Sequence, residues 1–150
     1  MRYVAIAVVA TGCFAYTRGS YVDYAPFPGK RVVLGGCLDL SVAMVEDNLA
    51  TGRVVEFSFG NGSWHPVTVD LASVRAYTTD GGGQRWLTAY DPNHEIVPLA
   101  IESVWSSSER VEYADNTHDV PTSICVDVGG VDASAPRTER WVCMAQGEAR

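Results

Sequence analysis

The stretch Arg53 to Asn61, RVVEFSFGN, decides how this chain is read. Val55, Phe57 and Phe59 fall on one side of an extended backbone, opposite Val54, Glu56 and Ser58. Period two in β-branched and aromatic residues predicts a strand with one face on a core and one in water. The neighbouring sequence repeats the pattern. CLDLSVAMV (Cys37 to Val45) sets Leu38, Leu40 and Val42 against Cys37, Asp39 and Ser41, and HPVTVDL does the same with Val67, Val69 and Leu71. SVRAYTT meets the run DGGGQ (Asp80 to Gln84) and RWLTAYDP leaves it, a hairpin signal because glycine reaches positive φ without steric cost. EIVPLAIESVW is interrupted by Pro98, which confines it to an edge strand or two short ones. SSSERVEYA predicts a serine turn at Ser106 to Ser108 and then a strand carrying Val111 and Tyr113. SICVDVGG and RWVCMA make a last pair across the Gly129 to Glu139 loop. VAMVEDNLATG is the one segment with a helical look, a loop or a single turn. Short strands every 8–12 residues or so predict an all-β chain, a single antiparallel β-sandwich of about 8 strands.

Composition agrees with one folded domain. The chain has 150 residues, 47% of them hydrophobic and 19% charged, proportions of a globular protein. Its formal net charge of −7 argues against nucleic acid as a partner and against electrostatic attachment to anionic lipid. No apolar run reaches the length of a transmembrane helix. No C-x-x-C spacing occurs, which removes the usual zinc and thioredoxin-like arrangements.

The first residues carry a separate signal. Arg2 precedes the apolar run Tyr3 to Ala10, which ends in Ala10-Thr11-Gly12-Cys13. This resembles the bacterial lipobox, in which a small residue precedes a cysteine that is lipidated before cleavage; Ala10 stands where that family most often has leucine. The resemblance implies a lipoprotein signal peptide at 1–12, lipidation at Cys13, a tether at 13–30 and the β-sandwich domain at 31–150. The partner there is the membrane, through the N-terminal lipid. Phe14 follows the cysteine in place of an aspartate, which favours an outer membrane where the source has one. The alternative is a buried strand over Val4 to Ala10. The segment VVEFSFGNGSWHPVTVDLASV is in turn similar to strand–corner–strand passages of Ig-like and fibronectin-like sandwiches in exported bacterial proteins. That resemblance implies an Ig-like fold and no activity.

Apart from Cys13, three cysteines remain: Cys37, Cys125 and Cys143. Cys125 and Cys143 occupy matching positions in adjacent strand-like runs, so a cross-strand disulfide is geometrically reasonable. The rivals are a bridge from Cys37 to either one, or three buried thiols.

Candidate chemistry is sparse. His94 and Glu95, in YDPNHEIVP, and His118 and Asp119, in ADNTHDVP, form two His–acid pairs in proline-bounded loops that together could hold a divalent metal. Solvated loop residues are the commoner explanation of such pairs. Asp115, Asn116 and Asp119 resemble a calcium loop but lack the glycine turn and terminal glutamate of an EF-hand. No nucleophile elbow and no phosphate loop occurs. Trp86 and Trp141 lie inside strand-like runs and are expected in the core, whereas Trp64 and His65, at the NGSWHP corner, are the expected contact for an unknown protein or glycan partner. The expectation is a lipid-anchored, non-catalytic binding module of the cell envelope with no cofactor. Its rivals are a metal-binding protein or metal-dependent enzyme on the His94/His118 loops, and a self-associating structural component.

Overall fold

The structure is a computed structural model that describes residues 28–90, 96–117 and 119–147. The expected signal peptide, Cys13 and most of the tether lie outside the described residues, as do His94, Glu95 and His118.

The chain is all-β. Its strands are β1 (Lys30–Gly35), β2 (Leu38–Val45), β3 (Arg53–Asn61), β4 (Val67–Val69), β5 (Arg75–Thr78), β6 (Arg85–Tyr90), β7 (Leu99–Ile101), β8 (Trp105–Ala114), β9 (Ser123–Asp127) and β10 (Trp141–Ala145). Eight of them form one antiparallel sheet in the order β1-β2-β3-β8-β6-β5-β9-β10, and β4 pairs with β7 in a small second sheet. This is a sandwich- or barrel-like arrangement. A strand that passes from one neighbour to the next lets a sheet turn a corner, and β6 does so here. Arg85 to Leu87 pair with β5, and Thr88 to Tyr90 pair with β8. The two outer strands also approach one another. Lys30 Nζ donates to the carbonyl of Cys143 at 2.5 Å, and the Arg140 guanidinium donates to the carbonyl of Val33.

One core results. Leu40, Val42, Val55, Phe57 and Phe59 from β2 and β3 meet Ile124, Val126, Val142 and Met144 from β9 and β10. Every inward residue of the two strands follows the alternation in the sequence. The outward residues do not: Asp39, Ser41, Val54 and Ser58 are buried as well. Burying polar groups costs little when each finds a hydrogen bond. The Arg31 Nε donates to both Asp39 carboxylate oxygens at 3.1 Å, Ser41 donates to Pro28 O at 2.8 Å, and Ser58 and Ser108 share a 2.8 Å hydroxyl contact.

Two further expectations need correction. Ser106 to Ser108 lie within β8, paired with β3; the turn comes earlier, where Val104 adopts φ 54°. VAMVEDNLATG, expected as a loop or a single turn, supplies the end of β2 and a loop, and the helical turn among the described residues is a 3-10 turn at Leu71–Ser73, capped by the Asp70 carboxylate. Trp86 and Trp141 are outside the core, for a reason of register given below. The hairpin at Asp80 to Gln84 is as expected, with Gly81 and Gly82 at φ 83° and 86°. Pro98 precedes a strand of three residues, β7, that pairs only with β4.

Candidate functional site

The outer face of β6-β5-β9-β10 carries the unusual chemistry. In an antiparallel ladder, residues opposite one another project from the same face. Leu87, Ala76, Val126 and Val142 form one cross-strand row and enter the core. Their chain neighbours must therefore point outward, which gives the row Trp86, Tyr77, Cys125 and Cys143. Cys125 and Cys143 form a disulfide between directly opposed residues, so neither is available to Cys37. Cys37 is itself disulfide-bonded.

The next row outward is Arg75, Asp127 and Trp141. Tyr77 stands edge-on to both tryptophans, with centroids 5.7 Å from Trp86 and 4.9 Å from Trp141, and the tryptophans lie 6.1 Å apart. Edge contacts of this kind suit the ring quadrupole and hold each ring in place. The Arg75 guanidinium lies 5.6 Å from the Trp141 ring centroid, a cation–π contact.

Asp127 organises the polar half of this face. It is fully buried and accepts four hydrogen bonds, from the Arg140 N–H at 2.8 Å, the Gly129 N–H at 3.0 Å, and the Arg75 and Arg137 guanidinium groups at 2.6 Å each. Arg75 also reaches Glu139 at 2.5 Å. Burial on its own raises a carboxyl pKa. Here the Arg140 N–H, Arg75, the Gly129 N–H and Arg137 outweigh it and hold Asp127 at about 2. Asp80 behaves alike at the hairpin: burial opposes its ionisation, but bonds from Ser123 and Thr122 bring it to about 2. The unfolded chain, with carboxyls near 3.9, binds more protons than the native state between those values. The stabilisation is complete above about pH 5 and is lost as pH falls toward 2, with Asp127 contributing on the order of 2 kcal/mol. Chemical denaturation at pH 6 and at pH 2.5 measures this loss, and the Asp127→Asn variant should show a smaller one.

A cleft opens beside the aromatic cluster. Pairing of β5 with β6 stops at Ala76 and Leu87, because β6 turns away to join β8. The strands splay and leave a fork of about 640 Å³, within the range of small-ligand sites. Its floor is Val74, Leu87 and Ala89; Arg75, Trp86 and Tyr90 stand at its rim. Trp86 is 54% exposed and Tyr90 49%, and Trp86 belongs to both the fork and the cluster.

The residues singled out by sequence sit elsewhere. Trp64 is 66% exposed and His65 is exposed, on a corner held by buried Asn61. The Asn61 amide donates to the carbonyls of His65, Ile101 and Glu102, and its oxygen accepts from the N–H and hydroxyl of Ser63. The corner leads away from the Asn61 end of β3, which pairs with the start of β8 at Trp105, whereas β6 pairs with the other end of β8, at Glu112 to Ala114. Asp119 is exposed, and Asp115 is engaged by Thr117 and Arg85. Among the described residues no three His, Cys, Asp or Glu side chains are grouped to hold a metal. The Tyr113 hydroxyl, deep in the core, has no hydrogen-bond partner among the described residues, and burial pushes its ionisation up.

Sequence reasoning missed Arg75, Trp86, Tyr90 and Asp127. Arg75 and Asp127 lie 52 positions apart in sequence, and no local pattern joins them. Trp141 had a usable signal: it stands two residues before Cys143, so a cross-strand bridge at Cys143 on the outer face puts Trp141 there too. Comparison with family models, with curated proteins and with solved structures finds no match.

Proposed function

We propose that this chain is an exported, non-catalytic binding module whose ligand seats in the fork between β5 and β6. The observation that carries it is the pair Trp86 and Tyr90, two large aromatic side chains half exposed at the rim of an apolar cleft. Exposed aromatic surface costs solvation free energy and is a common mark of binding surfaces. The Tyr77 and Trp141 contacts fix the Trp86 ring in advance, which reduces the entropy lost when a ligand meets it. Export is supported by the Cys125–Cys143 disulfide, since such bonds persist in oxidising compartments. The Ig-like likeness of the Val54 to Val74 passage belongs to the same proposal, as the kind of scaffold that presents such a surface.

Co-sedimentation with the isolated cell envelope of the source tests the module. The wild type and a Trp105→Ala control should sediment, Trp105 being 59% exposed at the start of β8, the end opposite the one that pairs with β6. A Trp86→Ala/Tyr90→Ala double variant should stay in the supernatant. Sedimentation unaffected by the double variant removes the fork from the proposal, and no sedimentation of the wild type removes the module.

Lipid anchoring at Cys13 is a separate part of the proposal, with its own chemistry. A sulfur that carries a diacylglyceryl thioether cannot also form a disulfide. What supports the anchor is the lipobox-like run Ala10-Thr11-Gly12-Cys13. A non-reducing peptide map of the exported protein decides the matter. A Cys13–Cys37 cross-linked peptide removes the anchor and leaves export standing, whereas a diacylglyceryl mass on the Cys13 peptide establishes it. The same map should return Cys125 and Cys143 as one linked pair.

A further inference from the structure

We infer that the ligand of the β5/β6 fork is a neutral oligosaccharide chain, an inference that rests on the binding-module proposal and specifies its chemistry. Three features of the fork point that way: its charge balance, the spacing of its aromatic rings, and the character of its floor.

Charge comes first. Arg75 is the cation at the rim, and it is already held by Asp127 and Glu139, while Arg137 is held by Asp127 as well. Among the described residues beside the fork, these two guanidinium groups face two carboxylates. An anionic ligand would have to compete for Arg75 with two carboxylates 2.6 and 2.5 Å away. It would also approach a chain of net charge −7, whose long-range field repels it. A cationic ligand would find both carboxylates neutralised. The described residues of the fork therefore favour a ligand without formal charge.

Spacing comes second. Trp86, Thr88 and Tyr90 alternate along β6 and share its outer face, and all three are exposed. At about 3.3 Å per residue the Trp86 and Tyr90 positions lie about 13 Å apart along the strand. A ligand that touches both rings is elongated, with apolar faces at intervals and polar groups between them, where the Thr88 hydroxyl stands. A pyranose chain has that make-up. Its C–H-bearing ring faces present partial positive charge to the negative faces of aromatic rings, and its hydroxyls remain free for hydrogen bonds.

The floor comes third. Val74, Leu87 and Ala89 offer apolar surface without a buried acid or base. Above them, β5 and β6 have parted, so the facing strand edges beyond Ala76 and Leu87 are not paired with each other. Backbone N–H and C=O groups along such edges suit hydroxyls, which both donate and accept. A peptide strand is the rival ligand for a free edge. Two diverging edges favour a ligand with hydroxyls on several sides over one that satisfies a single edge by a ladder.

Titration of the full chain with chitohexaose, cellohexaose and maltohexaose, followed by tryptophan fluorescence and by NMR of the indole N–H signals, tests this. At least one hexasaccharide should bind and shift the Trp86 signal, and its disaccharide should bind at least about tenfold more weakly because it cannot span both rings. Trp86→Ala should weaken binding at least about tenfold, and Trp86→Phe by less, since a smaller ring still stacks. Raising the salt from 50 mM to 500 mM should leave the affinity within about twofold, as charge takes no part. Trp105→Ala should bind as the wild type does. Circular dichroism of Trp86→Ala separates loss of binding from loss of fold. If no hexasaccharide shifts Trp86, or if binding collapses with salt, the inference fails. Should protease treatment of the envelope then abolish sedimentation that still depends on Trp86 and Tyr90, the ligand is a protein and the binding-module proposal survives without the glycan.

Discussion

Asp127→Ala is expected to lower the folding free energy by about 3–5 kcal/mol, the range for removing one partner of a buried, hydrogen-bonded charge network. The loss has several sources. The N–H groups of Gly129 and Arg140 lose their acceptor, Arg137 loses its carboxylate, and Arg75 keeps only Glu139. Asp127 holds the start of the Gly129 to Glu139 loop against its end, so the alanine chain must also find a new path for that loop. Glu139→Ala removes an exposed partner of the same arginine and should cost less than about 1 kcal/mol. Urea denaturation of both variants measures the contrast, read as a fall in midpoint at constant slope. Equal losses for the two would mean that the carboxylate at 127 is not the centre of the network. Asp127→Asn is the finer probe, because it keeps the acceptor oxygen and removes the charge.

The second large effect is expected at Gly129. A Cβ there would stand 1.6 Å from the carbonyl oxygen of Thr138 and 2.6 Å from its carbon, both backbone atoms. Contact at that distance forces the loop apart. The bonds from Thr138 N–H to Gly129 O (3.2 Å) and from Val128 N–H to Arg140 O (2.9 Å) hold the same two stretches together. Gly129→Ala should therefore destabilise by about 3 kcal/mol, near the upper end for inserting volume into a packed site. Gly83 is the matched control. A Cβ added there meets nothing within 4 Å and its φ lies outside the left-handed region, so Gly83→Ala should be neutral or stabilising by up to about 1 kcal/mol. Thermal melts of the two alanine variants should move in opposite directions or differ by at least several degrees.

Much of the fold was legible because its signals are local. The alternation over Arg53 to Asn61 and Leu38 to Val42 placed the inward side chains. The glycine run at Asp80 placed a hairpin, and Pro98 a short strand. Cys125 and Cys143 were readable as a pair because they sit at equivalent positions of two consecutive strands. Burial of the outer side of β2 and β3 was not legible, since alternation says that two faces differ and not what covers each. The partner exchange of β6 was hidden for a related reason: RWLTAY reads as one strand, and nothing within it says that Leu87 and Thr88 belong to different neighbours. The fork exists only because of that exchange, so its residues carry no local mark. The tryptophans were misplaced because aromatic bulk was weighed above position. Leu87 and Val142, next to them in the chain, already claimed the inward side.

The bonds from Lys30 to the Cys143 carbonyl and from Arg140 to the Val33 carbonyl have a consequence for how the domain can be used. Residues 113 positions apart in sequence are neighbours there, so the described chain enters and leaves the domain at one place. A domain with adjacent entry and exit can be grafted into a surface loop of a host protein without prising the host's own ends apart. The fork lies between β5 and β6, with β9 and β10 between it and that seam. The seam that ties the first described strand to the last thus lets the domain be carried as one unit inside another chain.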